Sequence, residues 1–353
     1  MGGFDNHASL PGRGLKYGII IYMASKIYKS VNLVANREGF DARFIDPELI
    51  NAYGLTIYEK LLWVTANVGG KLIKYSREGR KKEPVITIPG VDGEISGPTA
   101  VIVNSTIGFA IAERVENIKP SALFFSSNEG TIGGYNKDVN LDHGIVKFIS
   151  PDKAVYNGIT LLDDKLYAAD FGNNRIDVFG ADFERIVKHG SYEFKYPGDQ
   201  PKGYVVFNIV AIDGLLYVPY AKKKNTAPGY MSGPGLGFIA VYDDKGEFIK
   251  TLIGVDNHLD TPYSLVIAPK NFGKFSGKFL VGNFGAGKIN AWDINDTGCP
   301  AKYLGKIEVK CGDGVKDFYI NHLSTLVAYK RALFFCAGPN QKADGVVGKI
   351  MPL

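Results

Sequence analysis

Two polar turns share a pattern: "DFGNN" begins on Asp170 and "NFGAG" on Asn283. Asn157 in "YNGITLL" and Asn208 in "FNIVAI" stand at the head of short apolar runs. Carboxylate and amide oxygens of this kind suit a hard divalent cation, which polarises a carbonyl or activates a water. The same residue types also populate turns, where their side chains hydrogen-bond the local backbone. A second chemistry lies in "KKKNTAPGYMSGPGLG" (222–237), where Lys222, Lys223, Lys224, Tyr230 and Met231 combine cationic and apolar groups. Such a mixture suits contact with a protein, a glycan or a nucleic acid. The chain has no GxSxG, no HExxH and no Ser/His/Asp spacing that reads as a triad. Its glycines fit neither GxGxxG nor a P-loop in a βαβ setting.

The elements that must position these residues are short strands. The chain has 353 residues, 45% hydrophobic and 22% charged, which places it among globular proteins. Its 43 glycines, 20 tyrosines and 21 phenylalanines supply turns and fillers for pleated surfaces. A net charge of +5 is mild, so "GRKKEP" and "AKKKNT" read as solvated loop charge, with an anionic or nucleic-acid surface as the alternative contact. Three cysteines, Cys299, Cys311 and Cys336, make no CxxC pair and no disulfide framework. Cys336, in "LFFCAG", reads as a small buried hydrophobe. No apolar run is long enough for a membrane helix. Met23 reads as a natural start, residues 1–25 as an extension outside the fold, and the protein as intracellular.

A unit recurs along the chain. Its central pair of strands appears as "LLWVTANVGGKLIKYSREG", "ALFFSSNEGTIGGYNKD", "LYAADFGNNRIDVF", "LLYVPYA…GFIAVYDDKG", "KFLVGNFGAGKINAWDIND" and "ALFFCAG…VVGKIMPL". An apolar strand precedes each pair: 52–57, 98–103, 157–162, 207–212, 262–268 and 323–328. A fourth strand follows the first five: 84–88, 144–149, 184–188, 247–253 and 305–309. The sixth unit lacks its last strand, and "KIYKSVNLVA" (26–35) can supply it from the other end of the chain. A radial array protects its edges only if the ring closes, and a shared last sheet closes it. The expectation is an all-β, six-bladed β-propeller over 26–353, its last blade completed by the N-terminal strand. The 222–237 stretch is too long for a hairpin turn and is expected to cover one face.

The stretch "LYAADFGNNRIDVF" resembles an NHL-type repeat. Together with "SNEGTIGGYN", "GPGLGFIAVYD", "TPYSLVIAPKNFGKFSGKFLVGNFGAGKINAWD" and "FFCAGPN", it is similar to a family of bacterial six-bladed propellers without assigned activity. The resemblance implies the fold, and the family suggests secretion as the alternative location. Tyr53 and Tyr263 stand where that family often has Trp, and Ala66 where it often has an acid. The Lys/Asn/Tyr-rich composition resembles that of proteins from large DNA viruses and some parasites.

Gluconolactonase- and paraoxonase-like propellers hold Ca²⁺ or a similar ion through a few Asn, Asp and Glu oxygens. Resemblance to them makes Asp170, Asn283, Asn157 and Asn208 the candidate metal ligands, with Glu129 a fifth donor and His258 or His322 the base. One confident carboxylate is few for a catalytic divalent site. The favoured reading is therefore a non-enzymatic binding or structural propeller with a protein partner, its contact residues Lys222, Lys223, Lys224, Tyr230 and Met231. A Ca-dependent lactonase or hydrolase at the channel mouth is the alternative.

Overall fold

A computed structural model describes residues 27–186, 192–225, 229–294 and 300–353. The expected 1–25 extension lies outside these residues, as does Cys299. The first antiparallel sheet comprises Ala52–Tyr58, Leu61–Ala66, Lys71–Tyr75 and Lys81–Thr87. The second comprises Pro98–Val103, Leu123–Ser127, Thr131–Tyr135 and Ile145–Ile149. The third has Tyr156–Leu162, Lys165–Asp170 and Arg175–Phe179. In the fourth, Tyr204–Val206 and Val210–Ile212 both pair with Leu215–Lys222, followed by Gly237–Tyr242 and Phe248–Ile253. The fifth holds Pro262–Ile267, Phe279–Asn283, Lys288–Asp293 and Lys302–Lys306.

The last sheet joins both ends of the chain. Leu323–Tyr329, Ala332–Ala337 and Val346–Pro352 are completed by Tyr28–Ala35, which runs antiparallel with Tyr28 opposite Pro352 and Ala35 opposite Val346. The innermost strands of successive sheets neighbour one another in turn, the last touching the first, around a narrow channel. The arrangement is a β-propeller. Between adjacent sheets sit interleaved apolar layers, such as Leu33, Val64, Tyr75 and Phe334 between the last and first. Cys336 is buried in that layer, as its apolar surroundings predict, while Cys311 is exposed.

Three features correct the expectations from sequence. Among the described residues five sheets, not six, have four or more strands. The expected fourth strand of the third unit, 184–188, lies partly outside the described residues; within them Arg185 bridges to Phe179 and Ile186 N–H donates to the Val178 carbonyl, while the Arg185 guanidinium turns to Asp152 and Asp177. In the fifth unit the outer strand is Lys302–Lys306 rather than 305–309. Gly305 there has φ +126°, and the chain leaves to form the hairpin Glu308–Cys311/Gly314–Asp317, which extends the last sheet beside Tyr28. A further hairpin, Ala110–Ala112/Ile118–Pro120, stands off the second sheet.

Candidate functional site

One mouth of the channel is floored by rings. Tyr53, Phe207 and Tyr263 each stand at or beside the start of an innermost strand. Phe171 and Phe284 follow Asp170 and Asn283 in the turns after the second strands. The backbone thus aims five aromatic residues at one place, and they pack mostly edge to face. Tyr53 lies 5.5 Å from Tyr263, Phe207 lies 5.6 Å from Tyr263, and Phe171 lies 5.7 Å from Phe207. Edge-to-face geometry sets the positive rim of one ring against the negative face of another. Tyr263 Oη donates to the Asn157 carbonyl at 2.6 Å, and Asn208 Nδ2 donates to the Tyr263 carbonyl at 2.9 Å. Burial drives the Tyr263 and Tyr53 phenols well above their ordinary range, so both are neutral at physiological pH.

The side wall comes from described residues of the 222–237 excursion, 223–225 and 229–232. Lys223 pairs with Tyr230, Lys224 N–H donates to the Gly229 carbonyl, and Met231 N–H donates to the Lys222 carbonyl. Thr261 Oγ1 ties this ribbon down through the Met231 carbonyl at 2.9 Å. Tyr230 lies 5.4 Å from Phe207 and 5.3 Å from Phe284, so the wall and floor are one packed unit. Between them is a cavity of about 720 Å³. Tyr53, Phe171, Phe207 and Tyr230 give it apolar faces, Asn67, Asn128 and Asn157 line it with amides, and Lys223, Lys224 and Lys342 bring positive charge. None of its described lining residues is acidic. A second cavity of about 770 Å³ shares Tyr230 and Lys342 with the first and includes Met231, Ser232 and His322.

Lys342 was not apparent from the sequence. It lies in the loop between the last two strands of the final sheet, where Asn340, Gln341 and Lys342 have φ of +53°, +57° and +73°. Left-handed backbone at three successive non-glycine residues is costly and needs support from its surroundings. Lys342 Nζ lies 5.8 Å from the Phe284 ring centre and 5.9 Å from that of Tyr230. Among the described residues it has no carboxylate partner. Burial holds it below the ordinary lysine value. His322 is likewise lowered, first by burial and then by Lys342, against the opposing effect of its bond to the Gly338 carbonyl. That bond, 3.1 Å from Nδ1, puts the proton on Nδ1.

The binding residues expected from sequence divide. Lys223, Lys224 and Tyr230 line the first cavity. Met231 lines the second. Lys222 turns away, its ammonium donating to the Lys202 carbonyl and lying over the Tyr204 ring at 4.7 Å.

The expected cation ligands are engaged elsewhere. Asp170 is fully buried; its Oδ1 accepts from Val155 N–H at 2.9 Å and Asn173 N–H at 3.1 Å, its Oδ2 from Asn173 Nδ2 at 2.7 Å. Arg175 lies 3.3 Å from the same Oδ2. Asn283 Oδ1 accepts from Asp260 N–H, and Asn208 Oδ1 from Ile209 N–H. Glu129 caps the Gly97 amide with both oxygens. Of the four candidates only Asn157 lines the mouth cavity. The oxygens of Asp170, Asn208 and Asn283 are thus met by nearby amide and guanidinium donors. Among the described residues no three His, Cys, Asp or Glu side chains gather as a metal site. His258 is on the outside, stacked 3.6 Å from Tyr303 and bonded to Asp256.

No family model matches the chain. It is 31% identical over 328 residues to uncharacterised protein L690 of Acanthamoeba polyphaga mimivirus, covering 91% of this chain and 85% of that one. To uncharacterised protein R648 of the same virus it is 30% identical over 328 residues, covering 90% and 78%. These viral relatives replace the bacterial family expected from the motifs and agree with the composition. Among solved structures, virginiamycin B lyase from Staphylococcus aureus superposes with a TM-score of 0.56 over 92% of this chain and 99% of that one. The identity there is 12%, so the likeness concerns the propeller fold. Among the described residues no helix is long and apolar enough to cross a membrane.

Proposed function

The chain belongs to the same family as mimivirus proteins L690 and R648, and within it we propose a non-enzymatic binding propeller that takes its ligand at the ring-floored mouth. The observation that carries this reading is the open cavity of about 720 Å³ between the aromatic floor and the ribbon residues 223–225 and 229–230. Sites for small ligands are concave, largely apolar and furnished with a few polar groups that orient the guest, and this cavity has that make-up. Rings offer flat faces, and the Asn67, Asn128 and Asn157 amides offer donors and acceptors. The guest is a flat apolar group with polar substituents, carried on a small molecule or on a partner protein's side chain.

The test uses the uncharged fluorophore N-phenyl-1-naphthylamine. Saturable fluorescence enhancement with the full chain, weakened about tenfold or more in Tyr230→Ala while thermal unfolding stays cooperative, supports the reading. No saturable binding, or binding indifferent to both Tyr230→Ala and Phe207→Ala, overturns it.

A further inference from the structure

We infer that Lys342 is the anchor for an anionic group, so that the ligand of the mouth is a small organic anion with a flat apolar body. The inference rests on the binding reading above and names the chemical class of its ligand. Lys342 stands where the two cavities meet, beside the rings of Tyr230 and Phe284. A half-buried ammonium without a carboxylate partner is under-compensated, since nearby rings return only part of the lost hydration. An anion arriving from solvent supplies what is missing.

Other charges near the mouth agree. Lys223 Nζ donates to the Gly172 carbonyl at 3.0 Å and lies over the Phe171 ring at 5.6 Å. Lys224 is exposed at the rim. The carboxylate behind the second cavity, Asp260, is occupied: it accepts from Ser232 Oγ at 3.1 Å and Gly233 N–H at 2.9 Å. It is buried, and no ion pair joins it to Lys342 among the described residues.

The backbone supports the same conclusion. Three successive left-handed residues present Lys342, and the loop is held by a chain of bonds: Lys342 N–H to the Gly338 carbonyl at 3.0 Å, Ala343 N–H to Asn340 at 3.1 Å and Asp344 N–H to Pro339 at 3.2 Å. Asp344 is clamped in turn by Arg37 from the N-terminal segment. Strain maintained by this much surrounding structure places the ammonium at a defined point, which is what an anion anchor needs.

A matched pair of probes tests this. N-phenyl-1-naphthylamine is uncharged, and 8-anilinonaphthalene-1-sulfonate carries the same rings plus a sulfonate. With the full chain the sulfonate is expected to bind about tenfold or more tightly, as a charge-assisted contact provides. Lys342→Gln is expected to remove that preference, weakening the anionic probe about tenfold or more relative to the uncharged one. Lys342→Asn, which tolerates left-handed backbone, is a second variant should the first unfold.

Equal affinity of the two probes for the unaltered chain overturns the inference while leaving the binding reading intact. So does a preference that survives both variants. Binding of neither probe overturns the binding reading itself. Inorganic sulfate that displaces the anionic probe with equal affinity overturns the flat-body part, leaving a simple anion site.

Discussion

Arg37 grips Asp344 across 307 residues of chain, Nε to Oδ1 at 2.8 Å and Nη2 to Oδ2 at 2.7 Å. The Asp344 side chain is 5% exposed, and Asn36 and Asn340 also donate to it. The clamp fastens the turn after the N-terminal strand to the loop before the final strand, the joint that closes the ring.

Acid should loosen this joint in a defined range. The Arg37 guanidinium holds the Asp344 carboxyl down at about 2, below its ordinary 3.8. A depressed acid stabilises the fold fully above its unfolded value, and that contribution disappears as pH falls through the folded one. Melting curves from pH 7 to pH 2 should show Asp344→Asn less stable by a few degrees at neutral pH, the difference closing between about pH 4 and pH 2. A gap that stays constant with pH would remove the clamp from the account.

His322 should act in a separate window. Its folded value lies below 6.5, so the unfolded chain takes up the proton first as pH drops. Stability attributable to this residue is complete above about pH 6.5 and declines below it. His322→Asn, tolerant of the φ of +51°, should flatten the slope of the urea midpoint between pH 6.5 and pH 5. An unchanged slope would assign that pH dependence to other groups.

Asp170 should behave as a hairpin acceptor. Asp170→Asn keeps one oxygen but turns an NH₂ toward Asn173 Nδ2 or the neighbouring donors, so the variant is expected to lose about 1–3 kcal/mol. Millimolar Ca²⁺ should leave the melting temperature of the unaltered chain and the variant unchanged. A calcium-dependent rise that Asp170→Asn abolishes would restore the cation reading.

Gly54 should resist any side chain. A Cβ there would stand 2.8 Å from Ala100 Cα and Val101 N, backbone atoms of the neighbouring innermost strand. Neither can move aside without spreading the ring, so Gly54→Ala is expected to cost about 1–3 kcal/mol. The urea midpoint measures it, and a variant as stable as the parent would mean the channel strands are less tightly set than their spacing indicates.

The strands were legible because alternation and turn chemistry are properties of neighbouring residues. The pairing of Tyr28–Ala35 with Val346–Pro352 was legible too, since a last unit short of one strand and an unused strand at the start answer each other. Of the expected fourth strand of the third unit, "ERIVK", only 184–186 are among the described residues, and there Arg185 bridges to Phe179 while its guanidinium finds the Asp152 and Asp177 carboxylates, a pairing the sequence pattern does not show. Asp170 stands at the head of its turn, as its place in the sequence indicates, but its donors, two backbone amides and Arg175, come from positions that the local pattern does not specify. The aromatic floor had an available signal, the repeated "FG" after Asp170 and Asn283 and the aromatic in "AYGL", "FNIV" and "PYSL".

By itself the sequence determined the strand units, the polar turns between them and the closure of the ring through its two ends, all of which follow from local periodicity and from leaving no sheet edge bare. Only the tertiary structure decided which side chains share the mouth. Tyr53, Phe207, Tyr230 and Lys342 are far apart in the chain and meet because successive sheets turn the same end of every strand pair toward one axis. The placement of Lys342 depends on a left-handed loop that Asp344 and Arg37 hold in shape, and contacts between distant segments leave no local pattern to read.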